Sequence, residues 1–137
     1  MTRKRLQFLN NDPVGGGVGL NQYTDLRSYD ENQEYHFAIT WDESSGDVRI
    51  YENGLETAGM NTTMQIGQLN DVNNWLGRSN WTADSNLQGD FDEVRIYDRV
   101  LSAEEVQGSF IAGPDLVDTT GQGRGALLAI RAEVAFT

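Results

Sequence analysis

Apolar and polar side chains alternate along two short stretches of this chain. Tyr35, Phe37, Ile39 and Trp41 alternate with His36, Ala38 and Thr40, and Val48 and Ile50 alternate with Arg49 and Tyr51. A period of two is the signature of neighbouring strands, whose successive side chains point to opposite faces. Between the two stretches, Asp42 to Asp47 is polar, contains Gly46 and has the length of a hairpin loop. Asn53-Gly54 supplies a second turn, because both residues tolerate the positive φ that a tight hairpin demands. The pattern predicts three short antiparallel strands joined as a meander.

On either side the signals are shorter. Leu6 and Phe8 predict a brief strand, and the glycine-rich stretch Gly15 to Gly19 predicts a loop. Gly17-Val18-Gly19 is followed by Gln22, so the dinucleotide-binding pattern fails, and no lysine or helix follows to hold a phosphate. Gly19 to Tyr29 reads as a further strand pair or an irregular crossing. Met64 to Leu69 reads as a short strand, Asn70 to Asn74 as a turn, and Trp75 to Arg78 as another brief strand. Ser79 to Gln88 then makes a loop longer than most hairpin connections, a length that often marks function. Leu87 to Asp98 reads as the second principal strand. Phe91 lies on its odd face while Val94 and Ile96 lie on the even one, so either both faces are covered or a bulge near Asp92-Glu93 shifts the phase.

Leu101-Ser102-Ala103-Glu104-Glu105-Val106 carries a capping box, with Leu101 and Val106 placed to touch as a hydrophobic staple. It predicts one short helix near 103–108, stopped by Gly108 or by Gly113 with Pro114. Leu128, Ile130, Ala132, Val134 and Phe136 alternate over a last strand. This segment, 115–137, either closes the fold begun in 1–114 or starts a following domain. Phe37, Ile39, Val48, Ile50, Val94 and Ile96 are the residues expected to meet in the dry layer.

The runs YHFAITWD, SGDVRIYENG, WLGRS and GDFDEVRIYDRVLSAEEV, in that order over about residues 34–110, resemble the second half of the laminin-G-like jelly-roll domains of the concanavalin A-like lectin/glucanase superfamily. Glu34 departs from that pattern, standing where the family usually carries tryptophan, and the family's first strands have no obvious counterpart upstream. The resemblance implies an all-β fold: an antiparallel two-sheet β-sandwich of jelly-roll type with its helix plugging one end. It also implies a non-catalytic extracellular binding module for glycan or glycoprotein, with calcium in many relatives. The alternative is a structural or protein adhesion domain of a larger cell-surface or secreted protein, and a part of a glycan-active enzyme comes third. A domain lacking its first strands would leave an apolar face or strand edge exposed, and that surface would promote self-association.

Composition narrows this picture. A chain of 137 residues is one domain at most and is long enough to bury a core. Without cysteine it has no disulfides, thiol chemistry or Cys-based zinc site. The opening MTRKRLQFLNND is basic but has no apolar run of signal-peptide length, and no transmembrane span is evident. A secreted parent would therefore carry its signal upstream. Net charge is −11, and Asp12 to Asp118 holds 20 acids against five arginines, a local balance of −15. That field repels phosphate backbones and anionic lipid, which argues against nucleic-acid partners and membrane insertion. A solvated acidic surface explains most of it; divalent-cation binding is the sharper use.

Candidate chemistry concentrates in the loops. Glycosidases need two carboxylates about 5 to 9.5 Å apart, and the sandwich-fold glucanases carry a Glu-x-Asp-x-x-Glu strand. Here the nearest run, Asp90-Phe91-Asp92-Glu93-Val94-Arg95, ends in an arginine, which cannot give up a proton near neutral pH. His36 is the only histidine and sits within a strand, with no G-x-S-x-G serine motif to serve. Calcium needs only oxygen ligands, and Asp71, Asn73, Asp84, Asp90 and Asp92 are its candidate donors, set against ordinary turn-forming roles. The EF-hand echo at Asp84 fails at its twelfth position, Arg95. Trp75 and Trp81 can stack on a sugar's apolar face while Asn74 and Asn80 bond its hydroxyls; the competing role of each tryptophan is a place in the core.

Overall fold

The computed structural model describes residues 7–9, 21–23, 29–30, 33–63, 65–68, 75–78, 82, 86–87, 89–114 and 127–129. Its centre is the expected meander: β3 (Phe37–Asp42), β4 (Asp47–Glu52) and β5 (Leu55–Asn61), antiparallel and in that order. Two shorter pairs accompany it. β1 (Gln7–Leu9) pairs with β2 (Asn21–Tyr23), and β6 (Arg95–Tyr97) pairs with β7 (Leu127–Ala129), both antiparallel. β2 comes within 8 Å of β5 and β7 within 8 Å of β3, measured between Cα atoms. The described residues thus show part of a sandwich.

Turn chemistry sets the meander's register. In the first hairpin Asp42 lies opposite Asp47, and Gly46, at φ +76°, donates its N–H to the Asp42 carbonyl at 2.8 Å. The Asp42 carboxylate accepts from the Ser44 backbone N–H at 2.9 Å and from the Ser44 hydroxyl at 2.6 Å. In the second, Asn53 and Gly54 have φ of +50° and +78° between paired Glu52 and Leu55. Two successive positive values are those of the mirror-image turn that matches strand twist. Between Ile50 and Tyr51 the β4–β5 register shifts, leaving Thr57 extra; its hydroxyl donates to the Ile50 carbonyl at 3.2 Å.

Residues directly opposite on paired strands share a face. Ile39, Trp41, Val48, Ile50 and Met60 therefore share one, where Trp41, Val48 and Met60 form a core cluster with Ile39 and Ile66 against it. Ala38 and Tyr51 lie on the other, packed with Leu101, Val106 and Tyr97. Val48, Ile50 and Val106 are completely buried. Each such side chain contributes about 1.5–3 kcal/mol through removal from water.

α1 (Ala103–Ala112) covers the Ala38–Tyr51 face. It begins with the expected box: the Ser102 hydroxyl accepts from Glu105 N at 3.2 Å, and Glu105 Oε2 accepts from Ser102 N at 2.8 Å. Leu101 and Val106 join the same cluster as the staple predicts. The helix runs past the expected 108 to Ala112. Gly108 is exposed and helical, a placement costing about 1 kcal/mol relative to alanine, whereas Gly113 takes φ +82° and caps the end.

Four expectations are corrected. Residues 66–68 form a turn of 3-10 helix instead of a strand, because Glu43 Oε1 takes the Ile66 N–H at 2.8 Å and diverts it from any ladder. Residues 75–78 are a bend, since Gly77 at φ +70° breaks extension. Of Leu87 to Asp98, only Arg95–Tyr97 is strand among the described residues. Lastly, burial alternates without a phase shift from 91 to 97: Phe91, Glu93, Arg95 and Tyr97 are half-buried, while Val94 is 37% and Ile96 75% exposed. The inward charges neutralise each other, with Arg95 Nε donating to Glu93 Oε1 at 2.6 Å and Arg95 also reaching the Ser109 hydroxyl on α1 at 3.5 Å. Val94 and Ile96 therefore lie outside the dry layer, and Phe37 and Ile39 are only partly within it.

Two outcomes are expected. Ile50→Ala empties a sealed site and lowers unfolding free energy by about 2–5 kcal/mol, whereas Ile96→Ala changes it by less than about 0.5 kcal/mol; urea titration of both compares them directly. Hydrogen bonds from Ser44, then from Ser45, hold the Asp42 carboxyl below its ordinary value of 3.8. A lowered acid contributes stability above its unfolded value and loses it as pH falls through the folded value. The thermal advantage of the natural chain over Asp42→Asn should hold at neutral pH and shrink as pH is taken below 3.8.

Candidate functional site

The 75–78 bend, ahead of the loop expected to carry ligand contacts, stands against a group of partly buried rings. Tyr29, Phe37, Leu87 and Phe91 pack together as partly buried side chains. Tyr29 meets Tyr35 edge-on at 4.8 Å between ring centroids and Phe37 at 5.8 Å, geometry that favours ring edges against ring faces. The Tyr29 hydroxyl donates to Glu52 Oε2 at 3.1 Å, which places a hydrogen bond on a carboxylate only 4% exposed. Buried carboxylates persist only with such partners.

The bend meets this group at Gly77. The Gly77 carbonyl accepts from Leu87 N at 2.7 Å, and the Phe91 ring stands close behind Gly77, where a Cβ would lie 3.2 Å from it. A larger residue there would meet both the ring and a positive φ. Trp75 projects at 48% exposure, with the Arg78 guanidinium carbon 4.5 Å from its ring centroid. A cation over one indole face orients the ring and is worth about 0.5–1 kcal/mol at an exposed site. The result is an exposed indole held by Arg78, two residues before a glycine that stands against Phe91.

Of the other candidates, Asp90 and Asp92 are both exposed beside half-buried Phe91. Asn74, Asn80, Trp81, Asp71, Asn73 and Asp84 lie outside the described residues. Among the described residues no group of three or more histidines and acids is placed to hold a metal ion. Glu93 is the next acid along from Asp92, and its carboxylate is bound to Arg95. Burial opposes the Arg95 charge, but hydrogen bonds to Glu93 and Tyr97 outweigh it and hold the guanidinium pKa above its ordinary value. Arg95 is thus a fixed cation unsuited to proton transfer.

A second concave feature had no sequence signal. The start of β3 and the end of α1 enclose a cleft of about 310 Å³ lined by Gln33, Glu34, His36, Asn53, Phe110 and the Gly113–Pro114 cap. His36 is 3% exposed, and its backbone is fastened to the second turn: His36 N donates to Asn53 Oδ1 at 2.9 Å and Asn53 N donates to the His36 carbonyl at 2.7 Å. Its ring lies 5.8 Å from that of Phe110. The turn also touches the helix, because a Cβ on Gly54 would lie 3.2 Å from Gln107 Cα and from the Phe110 side chain. Only this long-range apposition creates the cleft.

Together the meander and the capped helix laid over one of its faces define part of a β-sandwich. The family model for laminin-G-type domains of the concanavalin A-like lectin/glucanase superfamily matches residues 3–107, and the chain belongs to that superfamily. The match begins well upstream of the meander in which the sequence resemblance starts. Domains of this type are commonly non-catalytic binding modules and are usually extracellular. Searches of curated proteins and of solved structures gave no match. Among the described residues, no helix is long and apolar enough to cross a membrane.

Proposed function

We propose that this domain is a non-catalytic module that binds carbohydrate, free or carried on a glycoprotein, outside the cell. The observation that carries the proposal is Trp75, a large aromatic side chain in a loop, 48% exposed and oriented by Arg78. An exposed indole offers a flat apolar platform to a pyranose ring while neighbouring amides bond its hydroxyls. Asn74, Asn80 and Trp81 are the sequence neighbours assigned to that role. Calcium belongs to the proposal through Asp90 and Asp92, with Asp71, Asn73 and Asp84 as further donors, since all five offer oxygen ligands.

A specific observation favours a second reading, a protein adhesion or structural domain. Ile96 is 75% and Val94 37% exposed on one side of the β6 segment. Paired exposed aliphatic side chains suit a protein partner better than a sugar.

A glycan array probed with the natural chain and with Trp75→Ala, each with calcium and with a chelator, separates the two. Carbohydrate recognition predicts binding to a subset of glycans that falls about tenfold in Trp75→Ala at unchanged thermal midpoint, and a calcium-linked site predicts loss under chelation. Silence of the natural chain on the array, with and without calcium, would overturn the carbohydrate reading and leave the adhesion reading in place.

A further inference from the structure

We propose that the cleft between the start of β3 and the end of α1 is a second binding site, one that takes an organic cation: the guanidinium or ammonium head of a long side chain or of a free amine. At about 310 Å³ it lies at the lower end of the range for small-ligand sites, enough for one such head and part of its stem.

Its walls select for positive charge. The Gln33 Nε2 donates to the Glu34 backbone carbonyl at 3.1 Å, which occupies one of the amide's two N–H donors, and its oxygen is an acceptor. Glu34 adds a carboxylate at the exposed rim. Phe110 presents a ring 38% exposed, and a π-face attracts cations. The far wall is the Gly113 cap of α1. Helix C-termini carry roughly half a negative elementary charge, and the last turn of α1 contains no basic residue to offset it. None of the described lining residues is lysine or arginine. Around all this lies a chain of net charge −11, whose field concentrates cations and repels anions.

The cleft is also rigid before any ligand arrives. The paired hydrogen bonds between His36 and Asn53, and the approach of Gly54 to Gln107 and Phe110, lock turn, strand and helix together. A site formed in advance loses little affinity to ordering. It shares no described residue with the Trp75 loop, so the carbohydrate reading can fail while this one stands.

The test is an NMR titration of the 137-residue chain with Nα-acetylarginine amide, with putrescine and, as a neutral comparison, with methyl β-glucoside, following the backbone amides of His36, Asn53 and Gly113. The proposal predicts saturable shifts at these amides with at least one cation and none with the glucoside. Glu34→Gln should weaken that binding about threefold and Phe110→Leu by a similar factor, while Trp75→Ala leaves it unchanged and all three variants keep the natural thermal midpoint. Tighter binding of the arginine amide would support the site and assign it to a basic side chain of a partner polypeptide; tighter binding of putrescine would support it and assign it to free amines. No saturable shift at millimolar cation, equal response to the glucoside, or Glu34→Gln and Phe110→Leu both binding like the natural chain would overturn it.

Discussion

A central strand covered on both faces is the constraint from which the rest of this domain follows. β4 places Val48 and Ile50 on one side of the meander and Tyr51 on the other, and all three are buried. A strand so placed cannot slip by one residue without exchanging its two faces. β3 and β5 are thereby held in register, and each face is left needing its own cover. Trp41, Met60 and Ile66 close one side; Leu101 and Val106 bring α1 over the other. Both candidate sites depend on this arrangement. Phe37 on β3 belongs with Tyr29 and Phe91 to the partly buried group beside the 75–78 bend, while His36, just before β3, forms a wall of the cleft at the end of α1.

Polar burial follows the same geometry. Glu52 lies opposite Phe37, so the fold that buries Phe37's surroundings also buries a carboxylate, and Tyr29 answers it with a hydrogen bond. Glu93 and Arg95 face inward and pair, with the guanidinium stem lying under α1 near Ser109. Such a pair is tolerated when each charge has its partner. It also explains why the aliphatic residues of the tetrad Val-Arg-Ile-Tyr are placed oppositely at its two occurrences. In β4 the aliphatic residues go inward, and at Val94 to Tyr97 the arginine and tyrosine do.

The strongly local features were legible in the sequence. Alternation from Tyr35 to Tyr51, the Asn53-Gly54 turn and the Ser102–Glu105 box each fix a backbone conformation through neighbours within a few residues, and the structure bears them out. Features decided at a distance were not. Whether Ile66 joins a strand depends on Glu43, 23 residues away. Which face of the Phe91 to Tyr97 run turns inward depends on an ion pair and on Ser109, and alternation alone leaves that choice open. Polar neighbours leave Trp75 open between an exposed platform and a place in the core; its exposure and its pairing with Arg78 needed the bend at Gly77, which stands against Phe91. The cleft at His36 had no signal at all, because its walls come from segments up to 81 residues apart: Gln33 and Pro114.

Native-state amide hydrogen exchange tests the central role of β4 most directly, since buried central strands open only with the whole fold. The amides of Val48 to Tyr51 should be among the slowest in the chain, exchanging at the free energy of global unfolding, with those of residues 75–78 far faster. Exchange of the β4 amides as rapid as that of the 75–78 bend would contradict the account.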